Sequence, residues 1–104
     1  MENNLSLVKD KFKELPNNIE AEQAVIGTIL VTNEIFDEIN TIISSANFYD
    51  PMHQKIFNAI ESLIYKGMLA NPITLKNYFE DEKDEINVPE YLIKVTKFST
   101  SKRQ

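Results

Sequence analysis

The sequence predicts an all-α fold, a small orthogonal bundle of about five short helices with no sheet. Three observations carry that expectation. Apolar residues recur at spacings of three and four almost throughout, most apolar runs follow an Asn, Asp or Thr able to cap a helix, and no stretch carries a strand signal. A chain of 104 residues suits one domain, in which folding hides roughly two thirds of the unfolded surface.

Residues 1–15 read as a mobile leader that is part helical at most, residues 16–100 as the helical head, and residues 101–104 as a tail. A first helix starts after Pro16, where Asn17 and Glu20 have capping-box spacing and Glu20 and Glu22 suit the positive end of the helix. Its apolar residues, Ala21, Ala24, Val25, Ile26, Ile29, Leu30 and Val31, wrap most of the circumference, as in a central helix covered on several sides. Gly27 lies inside it at a cost of about 1 kcal/mol relative to alanine, so a neighbouring helix is expected to cross closely there.

Asn33 is placed to cap a second helix with Ile35, Phe36, Ile39, Ile42 and Ile43 on one stripe. Ser44, Ser45 and Asn47 mark a loop. Asp50 then caps a third helix with Pro51 in its first position, where the missing amide hydrogen costs nothing. That helix should run to about Lys66, burying Ile56, Phe57, Ile60, Leu63 and Ile64, and Gly67 should end it in the left-handed conformation. Asn71-Pro72 breaks the pattern, and Thr74 is the expected cap of a fourth helix presenting Leu75, Tyr78 and Phe79; the charged run Glu80 to Glu85 ends it. Asn87 should cap the fifth, with Pro89 in its first turn, Glu90 three residues after the cap, and Val88, Tyr91, Leu92, Val95 and Phe98 on its apolar face. Ile26, Ile29 and Leu30 are expected to meet Ile39, Ile56, Phe57 and Ile60 at the centre.

Charge narrows the function. The chain carries a net −5, and residues 17–100 hold 13 acids against 6 lysines, with no arginine before Arg103. Phosphate backbones attract basic clusters through counterion release, so direct nucleic-acid binding by this domain is not expected. A helix-turn-helix reading with Thr74 to Phe79 as the recognition segment fails for the same reason, because the acidic run beside it repels phosphate. Such a surface suits protein partners that bring positive charge. The absence of cysteine excludes disulfides, thiolate metal sites and thiol nucleophiles, and no apolar run is long enough for a signal peptide or a membrane span.

Candidate chemistry has plainer readings. His53, the only histidine, shares a helical face with Phe57, Ile60 and Ile64, which favours a core-edge residue with one hydrogen-bond partner over a metal ligand or general base. Glu20 and Glu22 are two apart and point to different sides of a helix, so helix-end stabilisation explains them better than an acid–base pair. Glu80-Asp81-Glu82-Lys83-Asp84-Glu85 lacks the spaced ligands and central glycine of a calcium loop. No phosphate-binding glycine loop is present. The aromatic residues fall mostly at core spacing without basic neighbours, so they read as packing and not as base-stacking platforms. No catalytic, cofactor-binding or metal-binding residue is therefore assigned.

Two stretches carry a family resemblance: Glu20-Ala21-Glu22-Gln23-Ala24-Val25-Ile26-Gly27, and Phe48-Tyr49-Asp50-Pro51-Met52-His53-Gln54-Lys55-Ile56-Phe57. Across roughly Leu15 to Ser99 the chain resembles the amino-terminal domain of bacterial replicative DNA helicases of the DnaB type. One departure is Asn87-Val88-Pro89, where many members have a Gly-rich turn. The resemblance implies a cytoplasmic, non-catalytic collar domain of a hexameric helicase that organises the ring and contacts primase, helicase loader and neighbouring subunits. ATP and magnesium would belong to the parent's motor domain, and DNA would be reached only through the full-length protein. The isolated segment, stopping near where a helical hairpin should begin, is expected to be monomeric or weakly associating. The alternative is a stand-alone acidic helical adaptor that binds another protein's helicase ring without a motor. A phosphate-binding loop downstream in the reading frame would support the helicase fragment, and a stop codon shortly after Gln104 would support the adaptor.

Overall fold

A computed structural model describes residues 18–83 and 86–102, with side chains as far as Thr96. The expected leader, residues 1–15, lies outside the described residues. Five α-helices follow one another, α1 (Ile19–Val31), α2 (Phe36–Asn40), α3 (Pro51–Tyr65), α4 (Pro72–Asp81) and α5 (Glu90–Lys102), with 3₁₀ turns at Asn33–Ile35 and Ser45–Asn47. No strand occurs among the described residues. α5 runs through Lys102, so the first two residues of the expected tail continue the last helix.

Helix α1 starts one residue later than its capping-box spacing suggested. Asn18 is the cap, in extended conformation, and its Oδ1 accepts from the Ala21 amide at 3.0 Å. Ala21 thereby takes the third helical position that Glu20 would have needed to close a box, and Asn17 lies outside the described residues. The wrap-around apolar pattern is reflected in burial, since Ala21, Val25, Ile26, Ile29 and Leu30 are all buried. Ala24 and Val31, by contrast, face water.

The second helix is shorter than expected and Asn33 does not cap it. Its side-chain amide donates to the Ile29 carbonyl at 2.8 Å and to the Ala70 carbonyl at 3.1 Å, while its Oδ1 accepts from the Ala70 amide at 2.8 Å. A carboxamide carries donors and an acceptor together, so one residue satisfies a carbonyl in the last turn of α1 and both backbone groups of a distant loop. The chain leaves α1 through the 3₁₀ turn, and α2 stops at Asn40. Ile43 still reaches the core, but Ile42, expected on the buried stripe, is 46% exposed because the helix has already ended.

Helix α3 matches its sequence signals. Asp50 accepts from the Met52 amide at 2.8 Å, Pro51 occupies the first turn, and Ile56, Phe57, Ile60 and Leu63 are buried. Gly67 ends it at φ +80°, a conformation that costs other residues strain. The Met68 amide donates back to the Leu63 carbonyl at 2.9 Å, which satisfies one of the helix's last free carbonyls.

The caps of the last two helices differ from expectation. Asn71, not Thr74, caps α4; its Oδ1 accepts from the Thr74 amide, and the Thr74 hydroxyl accepts from the Asn71 amide, both at 2.9 Å. Pro72 therefore sits in the first turn, where proline is welcome, instead of breaking the helix. Helix α5 begins at Glu90, three residues after the expected cap at Asn87. Had Asn87 been the cap, Val88 would have had to be helical directly before Pro89, and proline pushes its predecessor out of the α region. Ile86 and Val88 instead pack against the core from irregular backbone.

The centre is one apolar cluster containing Ile26, Ile29, Leu30, Ile39, Ile56, Phe57 and Ile60, the residues expected there. Phe57 lies between Phe36 and Phe48, with ring centroids 5.4 and 5.2 Å away. α5 crosses α1 at Gly27. A Cβ there would come within 3.1 Å of Val95 Cγ1, so the close approach expected from a glycine inside a helix is made by the last helix of the chain.

Candidate functional site

The polar interior is where the residues singled out for chemistry converge. Among the described residues, Glu22 and His53 are the buried polar or charged side chains, both at 0% exposure. Glu22 comes from the first turn of α1, on the same stripe as Ile26 and Ile29. His53 stands in the first turn of α3, on the stripe of Phe57 and Ile60. Nδ1 of His53 lies 2.7 Å from Glu22 Oε1; a carboxylate only accepts, so Nδ1 carries the donated hydrogen. The other ring nitrogen, Nε2, is hydrogen-bonded with the hydroxyl of Tyr91 from α5.

Glu22 also reaches the backbone that leads into α3. Oε2 accepts from the Tyr49 amide at 2.5 Å, and Oε1 lies 3.3 Å from the Asp50 amide. A carboxylate placed before the start of a helix meets free amide hydrogens and the positive end of the helix dipole, which offsets its burial. Gln54 completes the junction by donating to the Phe48 carbonyl at 2.6 Å. Every atom of this cluster is occupied by protein, and the described residues leave no buried side-chain nitrogen or oxygen without a partner.

Tyr91 is the titratable group that this environment moves. Burial raises its phenol above the ordinary value of 10.0; the negative charge of Asp50 adds to the rise, a hydrogen bond from Gln23 opposes it, and the charge of Glu22 adds further. The hydroxyl is held in its neutral form, able to serve His53.

His53 is thus fully interior with two partners, where the sequence suggested a core-edge residue with one. Glu22 is a buried anchor and more than a helix-end charge, while Glu20 is on the surface. The signal for Glu22 was present, since it shares a helical stripe with Ile26 and Ile29, and an acid and a histidine on two apolar stripes invite pairing. The Tyr91 contact could not be inferred from spacing, because it depends on where α5 crosses. No group of three or more metal-ligating side chains converges among the described residues, the run from Glu80 included as far as Lys83. Of the aromatic residues, Phe36, Phe48, Phe57 and Phe79 are buried as packing; Tyr49 is 62% exposed, and the Phe98 side chain lies outside the described residues.

Taken together, the architecture defines a class: a small all-α domain whose helices are pinned by an apolar cluster and by one buried acid–histidine–tyrosine chain, Glu22–His53–Tyr91. Residues 14–104 match the sequence model of the DnaB-like helicase N terminal domain. The chain belongs to that family. Among curated relatives, Replicative DNA helicase DnaB of Rickettsia felis is 41% identical over 87 residues, covering 82% of this chain and 18% of the relative. Its counterpart in Rickettsia typhi is 40% identical over the same length and coverage. Replicative DNA helicase DnaB of Buchnera aphidicola subsp. Baizongia pistaciae is 38% identical over 79 residues, 76% of this chain and 17% of that protein. The chain therefore spans about a fifth of the length of these relatives, and corresponds to an N-terminal domain of a replicative helicase.

Proposed function

We propose that the domain is the non-catalytic collar of a hexameric replicative DNA helicase, organising the ring and receiving primase and other primosome proteins during replication in the cytoplasm. The observation that carries this reading is the family match over residues 14–104, in a chain that covers only 18% of relatives named as replicative helicases. ATP and magnesium belong, on this reading, to a motor domain elsewhere in the parent protein. The interior supports the assignment: Glu22 and His53, its chemistry-capable side chains, are sealed at 0% exposure and spend their hydrogen bonds on one another, Tyr91 and backbone amides. An acidic surface suits protein partners, not phosphate. No helix among the described residues is long and apolar enough to cross a membrane.

The test is a titration of the isotope-labelled chain with the primase and the helicase loader of its source organism, and separately with single-stranded and duplex DNA. The collar reading expects surface amide shifts with primase or loader and none with DNA. Salt-dependent DNA binding, or binding to another protein's intact helicase ring with no response to primase or loader, would replace it. Sedimentation of the chain alone at micromolar concentration is expected to show a monomer or weak association, and a tight hexamer would contradict that.

A further inference from the structure

The loop that joins α3 to α4 presents apolar side chains to water on a backbone that is fixed. Tyr65, Leu69 and Ile73 are 68%, 70% and 72% exposed, and Met68 is 48% exposed. Hydrogen bonds hold the backbone between them. The Met68 amide donates to the Leu63 carbonyl at 2.9 Å, the Leu69 carbonyl accepts from the Thr74 hydroxyl at 2.9 Å, and Asn33 takes both backbone groups of Ala70. A partner that covers Met68 and Leu69 therefore binds without having to order the loop. Single exposed apolar residues are ordinary, but a fixed run of them beside a depression marks a contact surface.

An open groove of about 240 Å³ lies here, lined by Ile64, Met68 and Leu69 from α3 and the loop and by Glu34 and Asp37 from the 3₁₀ turn and α2. Small-molecule pockets run to about 300–1,000 Å³, so this smaller groove suits one or two apolar side chains of a protein better than a metabolite. Its acidic border is uncompensated. Residues 18–54 contain no lysine or arginine, and among the described residues neither carboxylate has a cation within ion-pair distance. Lys66, close to the groove in sequence, lies over the Tyr78 ring, 5.8 Å from its centroid.

These features select among occupants. A second copy is unfavourable in charge, because residues 17–100 hold 13 acids against 6 lysines and like charges brought together oppose association. The same carboxylates oppose phosphate-bearing ligands. The described residues offer no strand edge to extend, and no aromatic ring lines the groove as a proline-rich segment requires, which leaves a helix laid into it. We propose that the groove docks an amphipathic helix of a different protein, whose leucine-like side chains meet Ile64, Met68 and Leu69 while its bordering lysines or arginines face Glu34 and Asp37. Met68, unbranched and polarisable, adapts to the shape of the entering side chain. The inference rests on the reading above that the domain receives protein partners, and adds the surface and the chemistry.

The test uses the full chain, isotope-labelled, with a designed peptide in place of the partner. The probe is a helical peptide of about 15 residues with leucine at spacings of three and four and lysine bordering that stripe; a second peptide carries glutamate in place of each lysine. Docking expects saturable shifts of the Glu34, Asp37, Met68 and Leu69 amides with the lysine peptide, and binding weaker by about tenfold or more with the glutamate peptide. Leu69→Ser, at an exposed position, should weaken the lysine peptide severalfold. Glu34→Lys/Asp37→Lys should reverse the order of the two peptides, which separates docking in the groove from the general attraction of a cation to an acidic protein. No saturable binding, shifts confined to other acidic positions such as Glu80 to Glu82, or an unreversed preference overturns the proposal. Met68 and Leu69 signals that move with protein concentration before peptide is added would make a second copy the occupant and overturn it as well. Primase and loader take no part, so a failure here leaves the collar reading to its own titration.

Discussion

Glu22 Oε1 lies 2.7 Å from His53 Nδ1 across 31 residues of chain, with both side chains fully buried. The contact joins the two stretches that carry the family resemblance. In the first, Glu22 supplies the carboxylate and Gly27 the close approach to α5. In the second, Phe48 fills the core, Tyr49 and Asp50 present their amides, Asp50 and Pro51 start the helix, and His53 closes on Glu22. Two motifs far apart in sequence are halves of one buried junction, which explains their residue types without any reaction.

Removing the carboxylate should be severe. Glu22→Ala leaves two backbone amides and a buried imidazole without their acceptor, and orphaning several buried donors together should cost about 3–5 kcal/mol. Glu22→Gln keeps the shape and one acceptor oxygen, and should cost about 1–3 kcal/mol. Urea melts of both variants check the order; equal losses would mean that the carboxylate's charge is irrelevant.

Phe57 is the steric centre, packed between Phe36 and Phe48. Phe57→Ala should cost about 3–5 kcal/mol, a large share of a stability of about 5–15 kcal/mol. A loss below about 1 kcal/mol in a chemical melt would place the ring outside the effective core.

Tyr91 predicts an alkaline limit. Its folded pKa is raised above 10.0, so the neutral phenol is the form that folding favours. The associated stability is fully present below the unfolded value, about 10, and is lost as pH rises from there through the higher folded value. Stability followed from pH 8 into this alkaline range should fall less in Tyr91→Phe than in the parent, and parallel curves would exclude Tyr91 as a source.

The Gly27 crossing gives a paired test. Gly27→Ala gains helix propensity of about 1 kcal/mol but sets a methyl 3.1 Å from Val95 Cγ1, so it should lie within about 1 kcal/mol of the parent. Trimming the obstacle releases the gain: Gly27→Ala in a Val95→Ala background should be more stable than Val95→Ala alone by about 0.5–1 kcal/mol. Thermal melts of the four proteins decide it. A penalty that persists without the Val95 methyls would put the constraint in the backbone.

Asn33 ties the last turn of α1 to the loop before α4. Asn33→Ala should cost about 1–3 kcal/mol by orphaning the Ala70 amide and carbonyl. Hydrogen exchange at Ala70 should accelerate more than at Ile56 in mid-α3, and uniform acceleration would indicate global destabilisation alone.

The sequence by itself determined the all-α class, the central α1, nearly all of α3 with its cap and glycine stop, and the apolar centre, because these depend on periodicity and on caps acting within a few residues. It also signalled, through Gly27, that some helix must come close. Only the tertiary structure decided which helix that was and why Asn33 serves Ala70 instead of starting a helix. Only it assembled Glu22, His53 and Tyr91 into one chain of hydrogen bonds. The physical reason is range: helix signals act over three or four residues, whereas a buried polar group takes whatever partner the packing of distant segments brings within 3 Å or so.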